Sequence, residues 1–179
     1  MRGQKVAVVA VFTATIVGSN LALSGIPNVK LLDTLVFVSA YVFGFQVGAL
    51  VGLLSETIWS VSSPFGGAGA IAPFLLAGEI IFALAGWGAS RIWGLEFNLK
   101  SPYPIVIGGL LTVCAFAWDF ETNAATAMLG YSPSAFWVAV FGPQTLFFII
   151  LHETSDFAFG ALVAPVLIRL IPKTLERRF

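Results

Sequence analysis

Long apolar runs separated by short polar breaks make up this chain, with no strand-like alternation between them. Six runs are legible, at residues 6–23, 31–44, 46–62, 71–93, 105–129 and 143–171. A helix rises 1.5 Å per residue, so about 20 apolar residues cross a hydrocarbon core roughly 30 Å thick. Leu31 to Ser63 is long for one span and short for two. Gly44, Gly48 and Gly52 recur there at every fourth position, which predicts a tight reversal near Gly44 to Gln46 and two short or tilted spans. Ser24 to Lys30 and Ser62 to Gly69 read as turn-rich loops. Pro143 closes a surface-lying piece over 135–141 and opens one long last helix over 143–171. Ala22-Leu23-Ser24 offers a signal-peptide cleavage pattern. Ala10 and Ala14, small residues four apart and suited to close helix packing, favour a retained first span instead.

Composition turns the pattern into a solvent argument. Hydrophobic residues are 58% of the 179 and charged residues 10%, with a mean hydropathy of +0.94. A soluble domain carries about 25% charged residues, so the expected class is an all-α integral membrane protein of one domain, 1–179. Zero formal net charge gives no reason to expect a nucleic-acid partner. The single Cys114 excludes an intrachain disulfide and a cysteine metal cluster. It is expected as a small apolar filler.

Charge sets the number of spans. Six spans with both termini cytoplasmic put Arg2, Lys5, Arg91, Lys100, Arg169, Lys173, Arg177 and Arg178 inside and only Lys30 outside. That split obeys the positive-inside rule, whereas five or seven spans send the basic tail outside. In this topology Lys30, Asp33, Trp59, Phe65, Asn123, Thr126, Gln144 and Phe147 lie toward the outer face. Glu56, Glu79, Asp119, His152 and Glu153 fall at intermediate depth, so polar groups converge on an outward half-cavity.

Two polar clusters interrupt the apolar pattern, Asp119-Phe120-Glu121-Thr122-Asn123 and His152-Glu153-Thr154-Ser155-Asp156. A carboxylate at the bilayer centre costs at least a few kcal/mol, so it faces a cavity, a partner or a proton path. Helical spacing stacks Asp119, Asn123 and Thr126 on one side and turns Glu121 away toward a helix-pairing role. Asp119 and Asn123 are candidate ligand contacts, with polar glue between helices as the alternative. His152 and Glu153 are adjacent and diverge by about 100°, so they are expected to pack or gate a ligand rather than hold a metal. Glu56 and Glu79 are single acids without a cation in their own spans, candidates for hydrogen bonds to a ligand or a neighbouring helix. Five Trp and 17 Phe supply mainly lipid-facing and interfacial surface. Trp59, Phe65, Trp118, Phe147 and Phe148 are placed to stack on a planar heteroaromatic ligand. The Pro27-Asn28-Val29-Lys30 loop is short enough to close over such a ligand.

Ile26-Pro27-Asn28-Val29-Lys30, Tyr41-Val42-Phe43-Gly44 and Gly48 to Glu56 carry a resemblance, continued by Asp119 to Ala127 and by His152 to Asp156 with Ala164-Pro165. These segments resemble the substrate-binding S components of energy-coupling factor (ECF) vitamin transporters. The resemblance implies a six-helix, multi-pass protein of a prokaryotic plasma membrane that captures a vitamin or precursor from outside. Its partners would be a transmembrane scaffold protein and two cytoplasmic ATPases. It also implies a binding site from loops one, three and five with the outer halves of the last three helices, and scaffold docking through Ala10 and Ala14. Asn28, Lys30, Glu56, Trp59, Phe65, Glu79, Trp118, Asp119, Asn123, Phe147, His152 and Glu153 are accordingly the candidate substrate-binding residues. No cofactor is expected.

Two other function classes are weaker. An intramembrane enzyme using Asp119 and Glu153 as an acid–base pair lacks a nucleophile with its base or a metal set. A self-sufficient channel or secondary transporter favours an internal repeat with broken helices, and the two polar clusters are too loosely alike to count as one. A glycine-rich nucleotide loop with a lysine is missing from the sequence, so the chain does not power transport itself.

Overall fold

The computed structural model describes residues 2–64, 66–94, 102–130 and 136–171, and among these every regular element is a helix. In chain order these are α1 (Arg2–Leu23), α2 (Leu32–Phe43), α3 (Phe45–Ser62), a 3₁₀ turn (Gly69–Ile71), α4 (Ala72–Trp93), α5 (Tyr103–Gly130), α6 (Phe136–Phe141), α7 (Pro143–Leu162) and α8 (Ala164–Leu170). Lys100, Lys173, Arg177, Arg178 and the candidate Phe65 lie outside the described residues.

The bundle is built around α2. Its 12 residues are all buried, because α1, α3, α4, α7 and α8 close on it from different sides. A helix that is apolar all round belongs in an interior. At about 18 Å it is shorter than a hydrocarbon core. The reversal expected near Gly44 is a single residue, Gly44, at φ 91° and ψ 164°, a conformation that favours glycine. From that turn α3 folds straight back on α2. A Cβ on Gly48 would fall 2.3 Å from the Ala40 Cβ, so only glycine lets the two backbones approach. The same device seats α4, where a Cβ on Gly86 would lie 2.2 Å from the Phe37 carbonyl oxygen. Lipid is as apolar as the side chains, so close backbone contact of this kind supplies the packing energy.

Among the described residues, four segments are long and apolar enough to cross a membrane: Gly3–Leu23, Gly69–Trp93, Tyr103–Gly130 and Phe136–Leu170. The last differs from the single helix expected over 143–171. The break at Gly142, where α6 meets α7, is the one expected ahead of Pro143, and the difference is a second break at Val163, where α8 begins. Pro143 and Pro165 occupy the first turns of α7 and α8 and each lacks the N–H that a continuous helix needs. The expected surface piece over 135–141 corresponds to α6, whose Trp137 and Val138 are exposed.

On α1, Val9, Thr13, Ile16 and Asn20 are buried at helical spacing, while Ala10, Ala14 and Leu21 on the other side are exposed. Several hydroxyls are tied to their own helices. Thr57, Thr122 and Thr126 each donate to the carbonyl four residues back, at 2.6, 2.9 and 2.8 Å.

Candidate functional site

One end of the bundle carries the buried charged side chains. Asp33 enters in the first turn of α2, where the helix dipole favours an acid. Glu56 comes from α3, Glu79 from α4, Asp119 from α5, and His152 and Asp156 from α7, one turn apart. All six are buried. Lys30 arrives from the loop ahead of α2 and is also buried. Its ammonium lies 4.6 Å from the centre of the Trp118 ring, within cation–π range. Burial by itself would lower the Lys30 pKa. The carboxylates of Asp33, Glu56, Glu79 and Asp119 outweigh that and raise it above the ordinary lysine value.

His152 is the hub of the acids. Its Nδ1 is 3.0 Å from Asp119 Oδ2, and its Nε2 is 3.1 Å from Asp33 Oδ2 and 3.8 Å from Asp156 Oδ2. The edge of the ring packs against Trp118, with centroids 5.3 Å apart. Trp118 in turn lies flush on α4, where a Cβ on Gly78 would meet its Cδ1 at 2.1 Å. Chain segments distant in sequence thus fix one imidazole, and Asp33, His152 and Asp156 bring one potential ligand atom each within 4.8 Å of the others.

Among the described residues, three cavities open at this end. The first, about 320 Å³, lies between α1, α3 and α4 and is lined by Asn20, Lys30, Glu56, Trp59 and Trp118, among others. A second of about 530 Å³ runs between α5, α6 and α7, with Asp119, Asn123, Thr126, Gln144 and Phe148 in its wall. The third, about 470 Å³, adjoins both and shares Trp118 with the first and Asp119, Asn123, Thr126 and Phe148 with the second. Asn28 borders all three. Its Nδ2 donates to the Phe148 carbonyl at 3.2 Å, strapping the Pro27–Lys30 loop onto α7. Asn28 holds φ at 58°, a left-handed backbone that asparagine tolerates better than most residues.

Several residues that line these cavities carry buried polar atoms with no hydrogen-bond partner among the described residues: Asn20 Oδ1 and Nδ2, Glu56 Oε2 and Trp118 Nε1. Native interiors satisfy most such groups, so a set left open around one volume indicates a missing partner. The chemistry on offer is mixed. Glu56 accepts, or donates when protonated, the indole N–H donates, and the Asn20 amide does both.

Among the candidate residues, Asn28, Lys30, Glu56, Trp59, Trp118, Asp119 and Asn123 line the cavities. The one-sided placement of Asp119, Asn123 and Thr126 is observed, since all three share a wall. Glu79 and His152 are fully buried behind that wall, and Glu153 is half-buried beside it. Of the two adjacent aromatic candidates, Phe147 is exposed and Phe148 lines the space. Glu56 and Glu79, which lack a cation in their own spans, receive the field of Lys30 from the loop. Sequence reasoning passed over Asn20, Asp33 and Asp156 as site residues. Only Asp156 left a usable signal, its spacing of four from His152 on one helix face.

No family model, characterised protein or solved structure matches the chain.

Proposed function

We propose that this protein is the membrane-embedded substrate-capture subunit of an ECF-type transporter, binding a vitamin-sized heteroaromatic compound in the cavities at its polar end. The observation that carries the reading is the partially enclosed space whose buried polar atoms lack partners and whose walls include Trp59, Trp118 and Phe148. A few orienting polar groups within an apolar and aromatic wall is the usual anatomy of a small-molecule pocket. The Asn28 strap bordering every cavity is suited to closing over a ligand and excluding water.

In this reading the polar end faces outward in a prokaryotic plasma membrane, six helical passes leave both termini cytoplasmic, and the protein is not an enzyme. The charge split along the sequence supports that orientation. The exposed face of α1 at Ala10 and Ala14 docks the scaffold protein, which couples it to two ATPases.

The test is to purify the protein with its retained small molecule, identify that molecule by mass spectrometry, and titrate it back while following tryptophan fluorescence. Asn123→Ala removes one hydrogen bond at a buried wall, an effect of about 1–3 kcal/mol or roughly 5- to 150-fold in affinity. An unchanged dissociation constant in Asn123→Ala, Glu56→Gln and Trp59→Ala alike would place the ligand elsewhere. Ala10→Trp and Ala14→Trp are expected to abolish scaffold co-purification and transport while the isolated protein still binds ligand.

A further inference from the structure

Asp156 is one of the least satisfied groups among the described residues. It is fully buried, neither carboxylate oxygen has a hydrogen-bond partner among the described residues, and its Oδ2 lies 3.8 Å from His152 Nε2. Asp33, also fully buried, approaches the same nitrogen at 3.1 Å and leaves its Oδ1 equally open. One oxygen of each carboxylate and the ring nitrogen therefore lie within 4.8 Å of one another, and no donor among the described residues satisfies the oxygens left open.

A doubly protonated imidazole bridging Asp119 and Asp33 accounts for part of this geometry. It gives each ring nitrogen a carboxylate but leaves Asp156 with both oxygens unpaired. A buried charge or polar group without a partner costs several kcal/mol, so an arrangement that satisfies Asp156 as well is the stronger one.

We propose that Asp33, His152 and Asp156 form a binding site for one divalent first-row transition-metal ion, with Asp119 as the positioning residue that orients the imidazole. Bonds of about 2.0–2.2 Å with angles between octahedral and tetrahedral separate ligand atoms by roughly 3.0–3.6 Å. Of the two observed separations from Nε2, 3.1 Å falls within that range and 3.8 Å lies just above it, before any ion draws the carboxylates in. In the metal-bound form the imidazole is neutral, Nε2 ligates, and Nδ1–H donates to Asp119 across the observed 3.0 Å. A carboxylate behind a ligating histidine is the usual second partner of such sites, fixing both tautomer and ring orientation. The T-shaped packing of Trp118 restrains the same ring. One imidazole with two carboxylates suits zinc, cobalt, nickel or manganese, whereas magnesium and calcium prefer all-oxygen sets. Asp119 also faces the larger cavities, which supply the route of entry.

The site stands independently of the captured vitamin, and its test has a separate readout. The full-length protein in detergent is stripped with a chelator and titrated with Co²⁺, followed by visible absorption. Saturable uptake of one ion per chain with ligand-field bands is expected. Asp156→Asn and His152→Gln should each abolish the bands, and Asp119→Asn should weaken binding about 10- to 100-fold at unchanged stoichiometry. Glu121→Gln, on another face of α5, should bind as the parent does. Circular dichroism of each variant separates a lost site from a lost fold. The parent titration decides even where a variant does not fold: no Co²⁺ bands in the folded parent overturns the site. Bands that persist at full strength in both Asp156→Asn and His152→Gln overturn it equally.

Discussion

The two ends of this bundle solve opposite problems. At the end reached by Phe43, Gly86 and Leu111, helices meet through apolar side chains and bare glycine backbone, with Phe37, Val47, Ala83, Ala89 and Ile107 buried around α2. At the end reached by Asn20, Lys30 and Asp119, the same helices enclose ionisable groups and three cavities. One end is packed for stability and the other is held open, with polar atoms waiting for partners. Rigidity at the apolar end is what lets the polar end keep unsatisfied groups at fixed positions, since a site needs a scaffold that does not collapse into it.

The largest effect should come from deleting volume where packing is complete. Phe37 is fully buried in the middle of α2, and Phe→Ala in a close-packed interior costs about 3–5 kcal/mol. Thermal unfolding in detergent is expected to show a large drop for Phe37→Ala and a smaller one for Trp118→Ala, whose ring already borders empty space. Equal losses would erase the distinction between the ends.

Adding a methyl group sharpens the contrast. Gly86→Ala drives a Cβ against the Phe37 carbonyl oxygen, part of a backbone that cannot swing aside. Overpacking of this kind costs typically about 1–3 kcal/mol. Gly78→Ala drives it against the Trp118 indole, a side chain that fronts the cavities. The first is expected to lower the unfolding temperature and leave tryptophan emission and ligand affinity alone. The second should shift emission and weaken binding, with a smaller loss of stability. A change of emission in Gly86→Ala matching that of Gly78→Ala would contradict this division.

Much of the helical architecture was legible because apolar run length is a one-dimensional signal. The reversal at Gly44 and the break before Pro143 follow from residues whose backbone limits are local. The enclosure of α2 was not legible, because a helix shielded by its neighbours and one shielded by lipid show the same apolar sequence. The site was half legible for a related reason. Asp119, Asn123 and Thr126 share a helix and their spacing placed them together, whereas Asn20, Asp33 and Lys30 reach the site only through the fold. The Asp33–His152 contact spans 119 positions, and no periodicity reports a pair so distant.

A more modest effect should separate the strap from the cavities beneath it. Asn28→Gly keeps the left-handed backbone and removes only the hydrogen bond to Phe148, whereas Asn28→Ala loses the bond and strains the backbone. Amide exchange over residues 24–30 is expected to rise in both, more in the alanine variant, while the unfolding temperature changes little. If exchange in this loop were unaffected by either substitution, the strap would not depend on Asn28.

The smallest expected effect lies at the apolar end, where Tyr41 on α2 donates its hydroxyl to the Gly94 carbonyl at the close of α4. Tyr41 is buried and packs its ring against Phe37 at 5.9 Å between centroids. Tyr41→Phe preserves that ring contact and removes the hydroxyl alone. The net value of one such hydrogen bond is about 0.5–1.5 kcal/mol. A small drop in unfolding temperature is therefore expected, with ligand affinity and Co²⁺ binding both at parent values, because the bond touches neither the cavities nor His152. Loss of ligand binding in Tyr41→Phe would mean that the two ends move as one unit, and the polar end would then owe its shape to a coupled motion rather than to a fixed scaffold.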